Sequence, residues 1–192
     1  LKNIVLDGAG KARLILLGTY NTLFIEDGAV LQNGYAYKPE SASIGNSGGA
    51  VRVLEYSKLI MNGGQIQNCQ ATRYAGGIYG WATGVTIEMN GGLIVNNEGD
   101  YAGGIVLLGN SSLYLKSGII TGNSSDGAQG GGVFVNGDTH CYLSGDIKIY
   151  GNRRTNISDT NVTYDIYINS NSNFVTLTGP FTGLVTICRL ND

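Results

Sequence analysis

Two aspartates occupy matching positions in consecutive repeats of this sequence, and carboxylates placed in this way could do chemistry. Asp100 lies three residues after Asn97, and Asp126 lies three residues after Asn123. If the repeats stack one strand spacing apart, the two carboxylates lie about 5 Å from each other. That spacing suits a retaining glycosidase or Ca²⁺ ligation. Acidic residues in a turn rich in Gly and Ser are usually just solvated, so we predict no catalytic group, metal or cofactor here.

A row of outward-facing side chains follows the paired glycines of each repeat, and it contains Arg52, Tyr79, Val106 and Phe134. Aromatic rings at the repeat spacing can stack on sugar rings or on the side chains of a partner. Rings can also lie outside a sheet merely to cover it, and both interpretations stay open. The predicted ligand-binding residues are three members of this row and four residues of the adjoining turns. Those of the row are Arg52, Tyr79 and Phe134, and those of the turns are Tyr74, Asp100, Tyr101 and Asp126.

This hypothesis places an extended glycan or peptide along the stacking axis, where stacking contacts carry most of the affinity. Replacing both Tyr79 and Phe134 by alanine should then weaken binding far more than Asp100→Asn, and should leave the melting temperature nearly unchanged. A second outward row is predicted at Phe24, Ile60, Glu88, Tyr114 and Tyr142.

The remaining reactive residue types indicate no catalytic site. His140 is the only histidine and has no Ser or Asp at a matching position, which argues against a triad or a zinc site. Cys69 and Cys141 lie about three repeats apart, roughly 14 Å, which is too far for a disulfide. We predict buried free thiols for both, whereas the state of Cys188 stays open.

Paired glycines mark the repeat that must position these residues. The pairs begin at Gly48, Gly76, Gly103 and Gly131, so the steps are 76 − 48 = 28, 103 − 76 = 27 and 131 − 103 = 28. Each repeat contains three short runs that favour strand, and its polar return lacks the apolar period of a helix, unlike a leucine-rich repeat. We therefore predict an all-β chain: a single-stranded, right-handed parallel β-helix of about six coils with three strands per coil.

Matching apolar residues are predicted to point inward. They follow the glycine pairs at Val51, Ile78, Ile105 and Val133, and they recur in the second strand at Leu59/Met61, Ile87/Met89, Leu113/Leu115 and Cys141/Leu143. In the third strand they are Ile66, Ile94, Ile120 and Ile149. An Ile-x-x-Asn pattern ends the third strand at Asn97, Asn123 and Asn152. In the first coil, Val30 to Asn33 is predicted to take the same place, whereas the repeat of Ile66 has Cys69 where the others have asparagine. Aligned asparagines of this kind are expected to form a hydrogen-bonded ladder.

One domain is predicted for residues 1–192. It comprises an incomplete first coil at 1–22, regular coils at 23–152 and an irregular final coil at 153–192 that covers the open edge. Because the chain opens with LKNIVLDGAG and not with an initiating Met, we interpret it as a fragment of a larger surface protein. The net charge of −2 and the absence of a long apolar run predict neither nucleic-acid binding nor membrane insertion.

The repeated motifs GGAV at 48–51, GGIY at 76–79, GGIV at 103–106 and GGVF at 131–134, with the Ile-x-x-Asn element, resemble those of known surface proteins. They are similar to the GGA(I/L/V) and FxxN repeats of the polymorphic outer-membrane protein family. They are closer still to the repeats of large cell-wall-attached surface proteins of gut bacteria. The resemblance covers residues 23 to about 152 and implies a secreted, surface-displayed and often adhesive bacterial β-helix, but it carries over no catalytic residue.

The sequence thus predicts a non-catalytic binding, adhesion or spacer module outside the cell, at the surface or attached to the cell wall. Its partner would be a glycan or a host surface protein. The alternative is a β-helical polysaccharide lyase or glycoside hydrolase that uses the turn at Asp100 and Asp126. A third interpretation, a trimer like a phage tailspike, predicts an oligomer, whereas we expect a monomer.

Overall fold

The computed structural model of the protein describes residues 1–37, 46–127, 129–155, 163–169 and 175–189. Over these residues the chain is all β, with short strands and no helix. The strands are numbered β1 to β25 along the chain and form four sheets in which every described pairing is parallel. The predicted all-β class with parallel strands is thus confirmed, and the architecture is solenoid-like.

Two sheets contain seven strands each. In hydrogen-bonded order, sheet I contains β1 (Val5–Asp7), β4 (Val30–Gln32), β8 (Gln65–Gln67), β12 (Leu93–Val95), β16 (Ile119–Thr121), β20 (Lys148–Tyr150) and β24 (Leu184–Val185). Sheet II contains β2 (Ile15–Leu17), β6 (Val51–Val53), β10 (Ile78–Trp81), β14 (Ile105–Leu108), β18 (Val133–Asn136), β22 (Ile166–Asn169) and β25 (Ile187–Arg189).

The other two sheets contain six and five strands. Sheet III contains β3 (Thr22–Ile25), β7 (Lys58–Met61), β11 (Thr86–Met89), β15 (Ser112–Leu115), β19 (His140–Gly145) and β23 (Val175–Phe181). Sheet IV contains two-residue strands that the sequence analysis did not predict: β5 (Tyr35–Ala36), β9 (Gln70–Ala71), β13 (Glu98–Gly99), β17 (Ser124–Ser125) and β21 (Arg153–Arg154). The polar return after each third strand is therefore extended enough to pair with its neighbours.

The core lies between sheets I, II and III. The inward residues predicted from Val51 to Ile149 are all buried, as is Ile25, whereas Leu23 is half-buried. Like residues pair across strands, as in Ile78 with Val51 and Ile105. Cys69 and Cys141 are buried free thiols, and burial raises the pKa of Cys69 to about 11 and that of Cys141 to about 12. Each repeat thus buries its apolar side chains against the repeats on either side, as expected for a stacked array.

The polar ladder inside the core differs from the prediction at its first member. Leu31, and not Val30, is buried and pairs with Ile66, so Gly34 and not Asn33 occupies the ladder position. Asn33 instead adopts the left-handed conformation, with φ of 54°. The pattern Val30 to Asn33 was misaligned by one residue because two adjacent apolar residues, Val30 and Leu31, fit the same strand equally well.

Paired glycines are needed where turns of neighbouring repeats approach one another. A Cβ on Gly77 would overlap the carbonyl oxygen of Gly104 in the next repeat. A Cβ on Gly103 would overlap the carbonyl oxygen of Asn97. The glycines therefore let each turn fold back closely across sheet II, and this return has consequences for the site predicted there.

Candidate functional site

The outer row of sheet II has the predicted register but not the predicted exposure. Arg52, Tyr79, Val106 and Phe134 lie side by side on consecutive strands, and Tyr167 extends the row. Tyr79 is 1% exposed and Phe134 is fully buried. These two rings cannot offer a stacking surface to a ligand in this conformation, so the exposure assumed for them is wrong.

Aromatic side chains from the turns cover this row. Tyr74 stacks on Tyr79 with the ring centroids 4.8 Å apart, and Tyr101 lies edge-on to Phe134 at 5.3 Å. Tyr74 and Tyr101 are themselves 4.8 Å apart, and Phe134 stacks on Tyr167 at 5.9 Å. The predicted aromatic residues are therefore brought together, but as a second small core between sheet II and the turns, which alternation along a strand cannot reveal.

The structure also brings the turns of Asp100 and Asp126 together. The amide of Gly127 donates to the carbonyl oxygen of Asp100 at 2.9 Å. Burial raises the pKa of Asp100, and the negative charge of Asp126 raises it further, while Arg73 opposes both effects. Asp100 is half-buried and Asp126 is exposed. In the described part of the chain, no group of three or more His, Cys, Asp or Glu side chains is arranged to hold a metal ion.

Substituting Asp126 with asparagine is expected to stabilise the protein at neutral pH and not in acid. The raised pKa of Asp100 means that its ionisation disfavours the folded state, and Asp126→Asn removes the charge responsible for part of that rise. Because Asp126 is exposed, water screens the repulsion and the gain should be only about 0.2–1 kcal/mol. Urea unfolding should show the gain at pH 7 and its loss below about pH 3, where Asp100 is protonated in both the folded and the unfolded state.

The matched control is Asp146→Asn, which removes the same charge from an exposed aspartate in another turn. If Asp126→Asn and Asp146→Asn changed the free energy of unfolding equally at pH 7, the coupling between Asp100 and Asp126 would be contradicted.

Of the predicted residues, Arg52 alone lines an open groove, which has a volume of about 570 Å³ and lies beside the turn from sheet II to sheet III. The groove is lined by Thr19, Arg52, Leu54, Glu55, Trp81, Ala82, Thr83, Gly109 and Asn110. Trp81 is the only tryptophan in the chain and is 48% exposed. A half-exposed indole beside a guanidinium, a carboxylate, hydroxyls and an amide combines an apolar surface with directional hydrogen-bonding groups.

The turn that follows Trp81 has one residue more than the equivalent turn of the preceding repeat. Thr86 comes six residues after Gly80 (86 − 80 = 6), whereas Lys58 comes five residues after Val53 (58 − 53 = 5). Both pairs occupy equivalent places in sheets II and III. Strands β10, β14 and β18 all run one residue further than β6, so the additional residue lies in the turn after β10, whose last residue, Trp81, is half-exposed. The sequence signal for Trp81 was its place two residues after Tyr79, on the same outward face by alternation along the strand.

Two exposed tyrosines stand in the equivalent turns of the preceding repeats. Tyr20 and Tyr56 are 77% and 50% exposed, and their rings stack in parallel with centroids 5.1 Å apart. Both have left-handed backbone conformations, with φ of 60° and 53°, which are uncommon for bulky residues and recur at functional sites. Gly84 occupies the equivalent position in the repeat that follows Tyr56, and a Cβ on Gly84 would lie 2.6 Å from the ring of Tyr56. These rings extend the exposed aromatic surface next to the groove.

The outer face of sheet III carries the second predicted row, and its register is confirmed at all five positions. Glu88 forms ion pairs with Lys58 at 2.9 Å and Lys116 at 2.6 Å, and these lysines lower its pKa to about 2. Tyr114 and Tyr142 stack on each other with centroids 4.7 Å apart. Because their faces are turned toward one another, these side chains act mainly as a cover for the sheet.

No protein-family model, curated protein or solved structure matches this chain. Among the described residues, no helix is long and apolar enough to cross a membrane. Assignment of a function therefore depends on the chemistry of the surfaces, and the groove at Trp81 combines an exposed aromatic ring with polar groups.

Proposed function

We propose that the chain is a non-catalytic binding module that recognises a glycan in the groove at Trp81. The observation that carries the proposal is the half-exposed indole of Trp81 on the wall of that groove, next to Arg52, Glu55 and Asn110. An indole ring can stack on the apolar face of a sugar, while the polar side chains exchange hydrogen bonds with its hydroxyls. The site thus differs from the buried row that the sequence analysis favoured.

The dimensions of the groove support this choice. Its volume of about 570 Å³ lies within the range of ~300–1,000 Å³ that is usual for small-ligand sites. It is open, as a site for part of a longer glycan must be. Its turns are joined by backbone hydrogen bonds, from Tyr56 to Thr83 at 3.1 Å and from Gly84 to Asn110 at 2.8 Å, so binding requires little rearrangement of the main chain.

For the fold, we propose right-handed winding into about six coils, supported by the general preference of parallel crossovers for that hand. An experimental structure with the opposite hand would contradict it. We further propose that the protein acts as a monomer outside the cell, at the surface or attached to the cell wall. The resemblance of its glycine-pair and Ile-x-x-Asn motifs to those of bacterial surface proteins supports this location.

Replacing Trp81 with alanine is expected to weaken glycan binding by about 10- to 30-fold, as is usual for a central aromatic residue in a binding site. An array of linear oligosaccharides identifies the best ligand for the unmodified protein, and calorimetry measures its affinity for each variant. Tyr150→Ala is the matched control, because Tyr150 is 42% exposed and lies on sheet I. Its affinity should equal that of the unmodified protein.

Since Trp81 is the only tryptophan, its fluorescence reports directly on this groove. Ligand binding should shift the emission to shorter wavelength and protect the indole from quenching by acrylamide. Binding with unchanged fluorescence and with full affinity in Trp81→Ala would place the site elsewhere. Release of unsaturated products or new reducing ends would favour the catalytic alternative at Asp100 and Asp126.

A further inference from the structure

The turn from sheet II to sheet III has one left-handed residue in each of three consecutive repeats, namely Tyr20, Tyr56 and Gly84, with φ of 60°, 53° and 75°. The amide of Tyr20 donates to the carbonyl oxygen of Glu55 at 3.2 Å, and that of Tyr56 donates to Thr83 at 3.1 Å, which aligns the three positions. Aromatic rings occupy the first two positions and stack on each other, whereas the third position has no side chain. The stack of rings therefore stops at Gly84.

The space over Gly84 borders the groove. Thr83, the residue before Gly84, lines the groove, and so does Trp81, three residues before Gly84. Tyr20 covers one face of the Tyr56 ring, yet Tyr56 is 50% exposed, so its open surface is the edge of the ring and the side toward Gly84. A ligand in the groove therefore meets the indole of Trp81 and, beyond Thr83, the open side of Tyr56.

Buried hydroxyl groups hold the turns that carry these rings. Ser57, directly after Tyr56, donates to the carbonyl oxygen of Gly18 at 2.6 Å, and Ser111 donates to that of Ala82 at 2.7 Å. Within this fixed turn, Tyr56 has a backbone conformation that disfavours a bulky residue and that glycine adopts freely. Since such strained residues cluster at functional sites, the ring of Tyr56 points to a binding role.

We infer that Tyr56 is a second stacking surface of this site, on which one sugar ring packs over Gly84 while its neighbour in the same glycan chain packs on Trp81. This inference rests on the proposed function and specifies the ligand as a linear oligosaccharide of at least two sugars. The ring of Tyr56 offers the apolar contact at this position, and the exposed carboxylate of Glu55, the residue before Tyr56, accepts hydrogen bonds from the hydroxyls.

Replacing Tyr56 with glycine tests this surface, because the chain itself has glycine at the equivalent position of the next repeat. Tyr56→Gly should remain folded, since glycine suits the left-handed backbone, and it should bind the best linear oligosaccharide about tenfold more weakly than the unmodified protein. Tyr56→Phe keeps the ring and should bind within about twofold of the unmodified protein. Calorimetry measures the affinity, and thermal unfolding confirms the fold. Unchanged affinity in Tyr56→Gly would overturn the inference and leave the proposed function standing.

The matched control is Tyr20→Gly. Tyr20 has the same residue type, turn position and backbone conformation as Tyr56, but it lies on the opposite side of Tyr56 from Gly84. Its replacement should weaken binding by less than about threefold, because the ring is not in contact with the ligand. A loss in Tyr20→Gly as large as that in Tyr56→Gly would contradict a sugar ring over Gly84.

The length of the ligand provides an independent test. Affinity of the unmodified protein for the best series should rise about tenfold from the monosaccharide to the disaccharide, because a single sugar cannot contact Trp81 and Tyr56 together. The rise should be absent from Tyr56→Gly. A monosaccharide that bound the unmodified protein as tightly as its oligosaccharides would overturn the inference and leave the groove at Trp81 as the glycan site. Binding of no oligosaccharide on the array would overturn both.

Discussion

Replacing Asn123 with alanine is expected to lower the free energy of unfolding by about 3–5 kcal/mol, since several buried polar groups would lose their partners. The side-chain amide of Asn123 is fully buried and donates to the carbonyl oxygen of Ile94 at 3.0 Å and to the side-chain oxygen of Asn152 at 2.9 Å. Its own side-chain oxygen accepts from the backbone and side-chain amides of Asn97, both at 3.0 Å. No water can reach these groups to replace the lost bonds.

Chemical denaturation measures this effect, and Asn90→Ala is its matched control. Asn90 also belongs to a row of stacked asparagines, but on the outer face, where its side chain donates to Asn62 at 2.9 Å. Water can replace that bond, so the control should cost less than about 1 kcal/mol. Equal losses in the two variants would show that the inner ladder is not sealed from solvent.

The ladder shows how much of this fold the sequence could predict. Asn97, Asn123 and Asn152 were predicted to form it because one residue type recurs at the repeat spacing, and the hydrogen bonds confirm them. The hydrogen bonds on either side of these three asparagines were not predicted. Cys69 donates its amide to Asn97, and the buried Asp165 accepts from Asn152, so different residue types complete the same hydrogen-bond pattern. Periodicity reveals repeated residues, but not substitutes with equivalent hydrogen bonding.

The candidate site was harder to predict for a related reason. Alternation along strand β10 identifies Tyr79 as facing away from the inner core, and the register confirms this. Whether an outward residue is exposed depends on the path of the connecting turn, and Tyr74 folds back to cover the ring. The groove is lined mostly by residues of the turns, which lie outside the repeat motifs and differ in length between repeats, as the additional residue before Thr86 shows. Binding by the predicted residues other than Arg52 stays a prediction, to which the buried rings of Tyr79 and Phe134 offer no exposed face.

Replacing Phe134 with alanine should accordingly destabilise the protein by about 3–5 kcal/mol, which is the usual cost of removing a buried phenylalanine. The ring is fully buried between Tyr101 and Tyr167, which are 5.3 and 5.9 Å away, and both neighbours are held by the backbone of other strands or turns. The cavity can therefore collapse only partly. This expectation replaces the sequence-based one, in which the melting temperature hardly changes; the loss should be roughly 10 °C for a chain of this size.

Tyr142→Ala is the appropriate control, because Tyr142 is also an outward aromatic residue that stacks on a neighbour, Tyr114, but it is only half-buried on sheet III. Its removal should cost about 1–2 kcal/mol, since water can fill the space that the ring leaves. At a temperature where both variants are folded, Phe134→Ala should bind oligosaccharides as the unmodified protein does, because Phe134 does not line the groove. A small stability loss together with a large affinity loss in Phe134→Ala would restore the outer row of sheet II as the binding surface. A large stability loss with unchanged affinity would show that Phe134 holds the turns against sheet II and does not contact the ligand.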